Sequence, residues 1–274
     1  DQYFPNVSLL MHMDGADGST TFTDSSSASN TISTETNAEI STDQFKFGVS
    51  SYDANNSDAE LRVSNSVLPS GATDFTIECW IYLETAPSSS DSYVFVNQTG
   101  TTSNFQFLIH RSGGLRIIQK ISGTNVVMAE QGDTNGWSIN TWYHIAATRS
   151  SNTWRVFRDG TLLGSDTYSG SNFLSSENSW IGGKDNNAVY TKGYIDEFRI
   201  TKGIARYTSN FDVPAGPFPN SNGTAPTYSN ADGLSSYYSV SDVLIDNNYL
   251  AGDNNLDTFT AGMWVQADSA AADN

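Results

Sequence analysis

The sequence predicts an all-β protein: a two-sheet antiparallel sandwich of jelly-roll size with a short C-terminal extension. Hydrophobic residues rarely recur at the spacing of an amphipathic helix. They alternate with polar residues in short runs, separated by clusters of Ser, Asn, Gly and Asp, as is typical of β-sandwiches. A chain of 274 residues can bury a large core without disulfide bonds. Its one cysteine, Cys79, is predicted to be a buried thiol on a strand.

The clearest predicted strand is Phe75–Leu83, whose hydrophobic residues at alternate positions share one face. Asp159 and Gly160 separate two further strands and favour a tight hairpin, because this pair readily adopts positive φ. Two sheets of about six strands each fit a jelly roll better than an immunoglobulin domain. The predicted strands cover residues 7–13, 59–63, 75–83, 93–96, 105–110, 115–121, 125–129, 142–149, 154–158, 161–163, 179–182 and 194–201.

Prolines mark the predicted end of the sandwich. Pro214, Pro217 and Pro219 precede a polar, Asn-rich stretch, a composition that favours an extended linker. We therefore expect a sandwich domain over residues 1–219, and a linker with a small C-terminal anchoring or oligomerisation segment over residues 220–274. That segment is too short to bury much alone. It is expected to pack on the sandwich, on a partner subunit or on a neighbouring protein, with disorder as the alternative.

The charge balance limits the partners of this chain. Its 13 basic and 30 acidic residues give a formal net charge of −17. Such a surface repels phosphates and anionic lipid, so nucleic acid is not expected as a partner. No apolar run approaches the length of a membrane span, so membrane insertion is not expected either. The acidic surface suits salty surroundings and divalent cations, as on a virion surface or in an extracellular location.

Four groups of residues follow one another in an informative order. They are LLMHMDG at 9–15 with FKFG at 45–48, NTWYHIAATR at 140–149 with RDG at 158–160, SWIGG at 179–183, and GYIDEFRI at 193–200. Together they resemble laminin-G-like jelly rolls of the concanavalin A-like superfamily, over about residues 3–219. The stretches 200–207 and 211–219 are similar to domains in virion proteins of tailed phages, especially aquatic ones. The resemblance implies a concanavalin A-like fold with a binding or structural role.

Catalysis is not predicted. Glucanases of the same superfold carry two glutamates and an aspartate spaced two apart on one strand, and this sequence has no such Glu-x-Asp-x-Glu motif. Asp196 and Glu197 are adjacent, so strict alternation would point them to opposite faces. His12, His110 and His144 fall on separate predicted strands, and their spacing implies no catalytic partner. The chain is therefore expected not to be an enzyme.

One carboxylate stands out in the last predicted strand. Alternation gives Asp196 the same face as Phe198 and Ile200, and a carboxylate on an apolar face must be paired, hydrogen-bonded or bound to metal. The resemblance implies one structural Ca²⁺ held by Asp14, the carbonyl of Gly48, and Asp196. Oxygen ligands of this kind suit calcium. The alternative is that Asp196 caps backbone amides or pairs with an arginine.

Glycan binding is the ligand class that the resemblance suggests. Aromatic residues beside amides on loops are the candidates: Trp137 with Asn135, and Tyr190 with Asn187. For Trp137 a packing role is the alternative. The tryptophans at 142, 154 and 180 lie in predicted strands and are expected to pack in the core or between the sheets.

Three functions remain open from the sequence. The first is a virion surface or structural protein, as a capsid decoration, fibre or tail-associated component, whose partners are neighbouring virion proteins or further copies of itself. The second is a carbohydrate-binding adhesin or receptor-binding module that contacts cell-surface glycans. The third is a secreted bacterial surface binding module.

Overall fold

The computed structural model describes residues 1–56, 59–69, 71–86, 91–99, 103–130, 136–170, 179–183 and 190–221, together with two strands at 227–229 and 235–237. Residues Tyr3–Asn220 form one compact unit, and Asp1–Gln2 group with the chain from Ser221 onward. In that second unit, β16 (Thr227–Ser229) and β17 (Ser235–Tyr237) form an antiparallel pair. No helix in the described part of the chain is long and apolar enough to span a membrane.

The first unit is a sandwich of two antiparallel sheets, which confirms the predicted fold class. Its strands in chain order are β1 (Val7–Met11), β2 (Ile32–Thr34), β3 (Glu39–Ser41), β4 (Ser51–Asp53), β5 (Leu61–Val63), β6 (Phe75–Leu83), β7 (Ser92–Thr99), β8 (Ser103–Ile109), β9 (Leu115–Ile121), β10 (Thr124–Glu130), β11 (Trp142–Ser150), β12 (Thr153–Arg158), β13 (Thr161–Thr167), β14 (Ser179–Ile181) and β15 (Gly193–Lys202). Short 3₁₀ turns occupy Phe4–Asn6 and Asn65–Val67.

Among these strands, eight form the larger sheet, in the order β13-β12-β11-β6-β15-β4-β3 with β1 also paired to β15. The smaller sheet has the order β10-β9-β8-β7-β14-β5-β2. The central position of β6 follows from its sequence: β-branched and aromatic residues occupy both faces, so it is buried along its whole length. The turn between β12 and β13 has positive φ at Asp159 and Gly160, which is the predicted hairpin.

The core lies between the two sheets and is lined by alternate residues of each strand. In β6 the inward set is the predicted one, with Cys79 at its centre and fully buried. Trp154, Phe105 and Phe75 form an edge-to-face cluster that joins the sheets. Trp154 is therefore a core residue, as the sequence predicts.

A long segment covers part of the outer face of the larger sheet. This exit segment, residues 203–219, follows β15 and crosses back over β6, β11 and β12. The Thr76 hydroxyl donates to the carbonyl of Ile204 at 3.0 Å, and the Thr148 hydroxyl donates to the carbonyl of Tyr207 at 3.0 Å. Phe218 is 2 % exposed, so the proline-bearing stretch up to residue 219 packs on the sandwich and is not a free linker.

Beneath the exit segment lies a buried charge network centred on Glu78. Arg199 donates to Oε1 through Nη2 at 2.8 Å and Nε at 3.0 Å, while the Tyr207 hydroxyl donates to Oε2 at 2.8 Å. His144 Nε2 lies 3.2 Å from Oε2, and Arg206 Nε lies 3.7 Å from Oε1. Burial alone would raise the pKa of Glu78, but Arg199, His144 and Arg206 together hold it far below its ordinary 4.5.

A β-bulge in β15 changes which residues face outward. Asp196 pairs with Trp80 and Arg199 with Glu78, so β15 contains one extra residue here, and Glu197 has φ +52°. Beyond the bulge, Phe198 and Ile200 enter the core, whereas Asp196 remains on the outer side. The expectation that Asp196 shares their face was therefore wrong. Glu197 also reaches the outer side, where it accepts the Phe218 amide at 2.8 Å, so the two adjacent carboxylates do not point to opposite faces.

Replacing Glu78 with glutamine tests the network. Glu78→Gln leaves Arg199 buried beside a neutral group, which should lower the free energy of unfolding by about 3–5 kcal/mol. Urea denaturation at pH 7 measures this value. The difference from the unmutated protein should shrink below pH 4.5, because an acid whose pKa is depressed by folding loses its stabilising contribution on protonation.

The matched control is Glu130→Gln, which removes a partly exposed ion pair with Arg116 at 3.0 Å. It should cost at most about 1 kcal/mol. Equal losses for the two variants would contradict the central role of Glu78.

Candidate functional site

The three predicted metal ligands meet at one turn, residues 46–49, on the outer side of the larger sheet. Asp196 Oδ2 accepts the backbone amides of Lys46 at 2.8 Å and Phe47 at 3.0 Å. Asp14 Oδ1 accepts the amide of Val49 at 3.2 Å. Asp14, which follows β1, and Asp196 of β15 thus hold the same turn through their carboxylates. Amide capping, the alternative considered for Asp196, accounts for one of its two oxygens.

Gly48 is required by this geometry. Its φ is +65°, and a Cβ at this position would lie 2.1 Å from Asp14 Oδ1. The carboxylate therefore occupies the space that any side chain at position 48 would need. This close approach explains why glycine sits between Phe47 and Val49.

The second oxygen of Asp196 fits a cation. Asp196 is fully buried, and its Oδ1 has no hydrogen-bond partner among the described residues. Burial raises its pKa to about 7, opposed by the amides of Phe47 and Lys46 and aided by the charge of Glu197. Within the same residues, no group of three or more His, Cys, Asp or Glu side chains is arranged to hold a metal. An ion here would therefore need carbonyl oxygens beside Asp14 and Asp196.

His12 adds a further titratable group to this region. Its Nδ1 lies 2.8 Å from Glu197 Oε1. Burial lowers the pKa of His12, but the hydrogen bond and charge of Glu197, with the charges of Asp14 and Asp196, outweigh it and raise the pKa overall. Glu197 thus contacts His12 on one side and the Phe218 amide on the other. Both contacts are structural.

The loop aromatics predicted to bind glycans have different surroundings. Trp137 is partly buried: its indole nitrogen donates to the carbonyl of Gly113 at 2.8 Å, and its ring lies edge-on to Tyr143. The guanidinium of Arg158 lies 4.9 Å from the ring centre. These contacts are those of a packing residue. Tyr190 is partly exposed and forms an isolated bridge with Gly183. Asn135 and Asn187 lie outside the described residues.

An aromatic row that the sequence analysis did not identify crosses the larger sheet beyond the exit segment. Trp142, Tyr82 and Tyr194 are directly opposite one another on β11, β6 and β15, with ring centres 5.4 Å and 5.9 Å apart. Trp142 is partly exposed and lies outside the core, contrary to the expectation that it packs inside. Both tyrosines are buried, at 9% and 5% exposure.

Polar groups border one end of the aromatic row. Asp53 pairs with Tyr194 across β4 and β15, and Glu84 follows the end of β6. The amide nitrogen of Asn55 donates to Glu84 Oε2. The next row along the sheet contains Trp80, whose ring lies 4.1 Å from the Lys46 ammonium. Of the three rings only Trp142 is partly exposed, since Tyr82 and Tyr194 are 9% and 5% exposed. The surface here therefore combines the Trp142 ring with the carboxylates and the amide at the other end of the row.

The laminin-G-like family model described as the concanavalin A-like lectin/glucanases superfamily matches residues 55–205, more than half of the chain. The chain belongs to this superfamily. The matched region contains all three residues of the aromatic row but not Asp53, which borders it. It ends within the exit segment. A comparison with curated protein sequences gave no match.

Solved structures share the fold of this superfamily member at low sequence identity. Domain 4 of AbnA, a GH43 extracellular arabinanase from Geobacillus stearothermophilus solved with arabinotriose, has a TM-score of 0.56 and 15% identity over 72% of this chain and 93% of that domain. The botulinum neurotoxin serotype D binding domain has a TM-score of 0.55 and 14% identity over 74% of this chain and 49% of that one. The binding domain of botulinum neurotoxin DC with SialylT gives 0.52 and 13%, over 73% and 48%. The chain spans about half the length of these toxin domains.

Proposed function

We propose that this lectin-like sandwich binds carbohydrate and is not an enzyme. The observation that carries the proposal is the aromatic row, because its partly exposed Trp142 ring, supported by the tilted ring of Tyr82, offers apolar area for the C–H surface of a sugar ring. Asp53, Glu84 and Asn55 add acceptors and donors for sugar hydroxyls. Similar sandwiches were solved with arabinotriose and with SialylT, which supports a saccharide as the ligand.

The absence of catalysis is supported by the contacts of the paired carboxylates. Asp196 accepts two backbone amides, and Glu197 binds His12 and the Phe218 amide. Glycoside hydrolysis needs one carboxylic acid and one carboxylate free to reach the two sides of a glycosidic bond. Structural hydrogen bonds occupy Glu197 and one oxygen of Asp196 here.

We further propose that the domain is displayed on a virion surface, with neighbouring virion proteins or further copies of itself as partners. The similarity of residues 200–207 and 211–219 to phage virion domains supports this location. These residues form the end of β15 and the exit segment, which holds the chain close to the sandwich before residue 220. A secreted bacterial surface module is the alternative location, and it would use the same carbohydrate site.

A structural calcium ion is proposed at the turn 46–49. Asp14, Asp196 and the carbonyl of Gly48 would hold it, and the ion would supply positive charge to the buried Asp196 Oδ1. It would also tie β1 to β15 through this turn, which stabilises a closure between distant parts of the chain.

Thermal melts in calcium and in chelator test the ion. Calcium at 100 times its Kd should add about 2.7 kcal/mol to the free energy of unfolding. Asp196→Asn should abolish that gain. Gly48→Ala should abolish it too, because the added methyl displaces the Asp14 carboxylate, whereas Gly71→Ala should keep it. Gly71 has the same φ of +65° with nothing within 4 Å of an added Cβ. Equal melting temperatures in calcium and chelator would exclude the ion.

A glycan array probed with the full chain tests carbohydrate binding. Binding to at least one defined saccharide is expected, and Trp142→Ala should weaken it at least about tenfold, which corresponds to about 1.4 kcal/mol. Tyr190→Ala is the control for the loop site. A protein that binds no saccharide, with or without calcium, would refute this function.

Quantitative mass spectrometry of gradient-purified particles from the source culture tests the location. The virion proposal predicts a fixed ratio of this chain to a capsid or tail protein. Recovery only as free secreted protein would refute it and support the bacterial surface module.

A further inference from the structure

We propose that the aromatic row selects uncharged saccharides and excludes anionic ones, through an acidic rim formed by Asp53 and Glu84. This inference rests on the proposed carbohydrate-binding function and adds the ligand class to it. Sialylated, uronic and sulfated glycans would be excluded, while neutral oligosaccharides would be bound.

The position of the carboxylates carries the argument. Tyr194 is flanked by Tyr82 on β6 and by Asp53 on β4, so Asp53 continues the aromatic row across the sheet. Glu84 lies in the bend directly after β6, two residues beyond Tyr82. Asn55 donates to Glu84 and links it to the β4 side of the row. A ligand that contacts Trp142 and lies along the row over the edges of the two buried tyrosines would meet these oxygens at its far end.

The local field at this rim is negative. The pKa values of Asp53 and Glu84 are both raised, first by burial and then by other carboxylates, namely Asp43 for Asp53, and Asp53 and Asp43 for Glu84. Two lysines lie nearby. Lys46 places its ammonium over the Trp80 ring, and the backbone carbonyl of Lys192 accepts the Glu84 amide. Neither lysine is among the groups that shift the pKa of Glu84.

The hydrogen-bonding groups match neutral hydroxyls. Ionised carboxylates accept charge-assisted hydrogen bonds, which sugar hydroxyls can donate. The tyrosines can donate in return, since burial and the nearby carboxylates raise the pKa of Tyr194 to about 12 and keep its hydroxyl protonated at neutral pH. A ligand carboxylate or sulfate would instead face like charges at contact distance, where repulsion is strong and water is partly excluded.

Isothermal titration calorimetry with paired saccharides tests this selection. Lactose is compared with sialyllactose, and each neutral array hit with its uronic or sulfated counterpart. The anionic member should bind at least about tenfold more weakly, or about 1.4 kcal/mol. Glu84→Lys should narrow or reverse that ratio. Asp166→Lys, which makes the same charge change at an exposed residue of β13, should leave it unchanged.

The outcomes separate the two proposals. If the protein binds no saccharide at all, the proposed function fails. If it binds anionic and neutral members equally, or if Glu84→Lys and Asp166→Lys have the same effect, the function stands and the acidic-rim selection is wrong. Two milder variants repeat the test if Glu84→Lys fails to fold. Glu84→Gln removes the charge and Tyr194→Phe removes a hydroxyl, each with little change of shape.

Discussion

The buried pair of Glu78 and Arg199 is the interaction on which the rest of the architecture depends. Both residues lie on the outer face of the larger sheet, where a sandwich normally meets water. Two ionised groups cannot be removed from water there unless other groups complete their hydrogen bonds. His144, Tyr207 and Arg206 do so, and two of them are supplied by the exit segment. The network therefore needs the exit segment, and the exit segment is held by the network.

This mutual dependence divides the outer face into two parts. The covered part runs from Glu78 toward Thr76 and Thr148 under the exit segment. The second part begins at the bulge of β15, where the extra residue Glu197 ends the region under the exit segment and leaves Asp196 beside the turn 46–49. Beyond it lies the aromatic row. A structural carboxylate network and a candidate ligand surface thus share one sheet without sharing residues.

Much of the fold could be predicted because long strands show alternation clearly. The inward residues of β6, the burial of Cys79 and the hairpin at Asp159 follow from local sequence. The strands β2, β3 and β4 have only three residues each, too few for alternation to be visible. The face of Asp196 relative to Phe198 and Ile200 was mispredicted because a bulge leaves no mark in a strictly alternating pattern.

The candidate sites differ in how much of each could be predicted from the sequence. Asp14, Gly48 and Asp196 were named through a family resemblance, and the structure places all three at one turn. The aromatic row depends on the register between β11, β6 and β15, strands that are distant in sequence. The local sequence around Trp142 does not distinguish it from other tryptophans in strands. Only its alignment with Tyr82 and Tyr194 distinguishes it from Trp154, which faces the core.

Chemical-shift mapping by NMR would test the division of the outer face most directly. The full chain, labelled with ¹⁵N, would be titrated with the tightest neutral saccharide found on the array. The largest shifts should fall on Tyr82, Tyr194 and the backbone and indole of Trp142, with little change at Glu78 and Arg199. Shifts centred on Trp137 or Tyr190 would place the ligand elsewhere and contradict the assignment of the aromatic row.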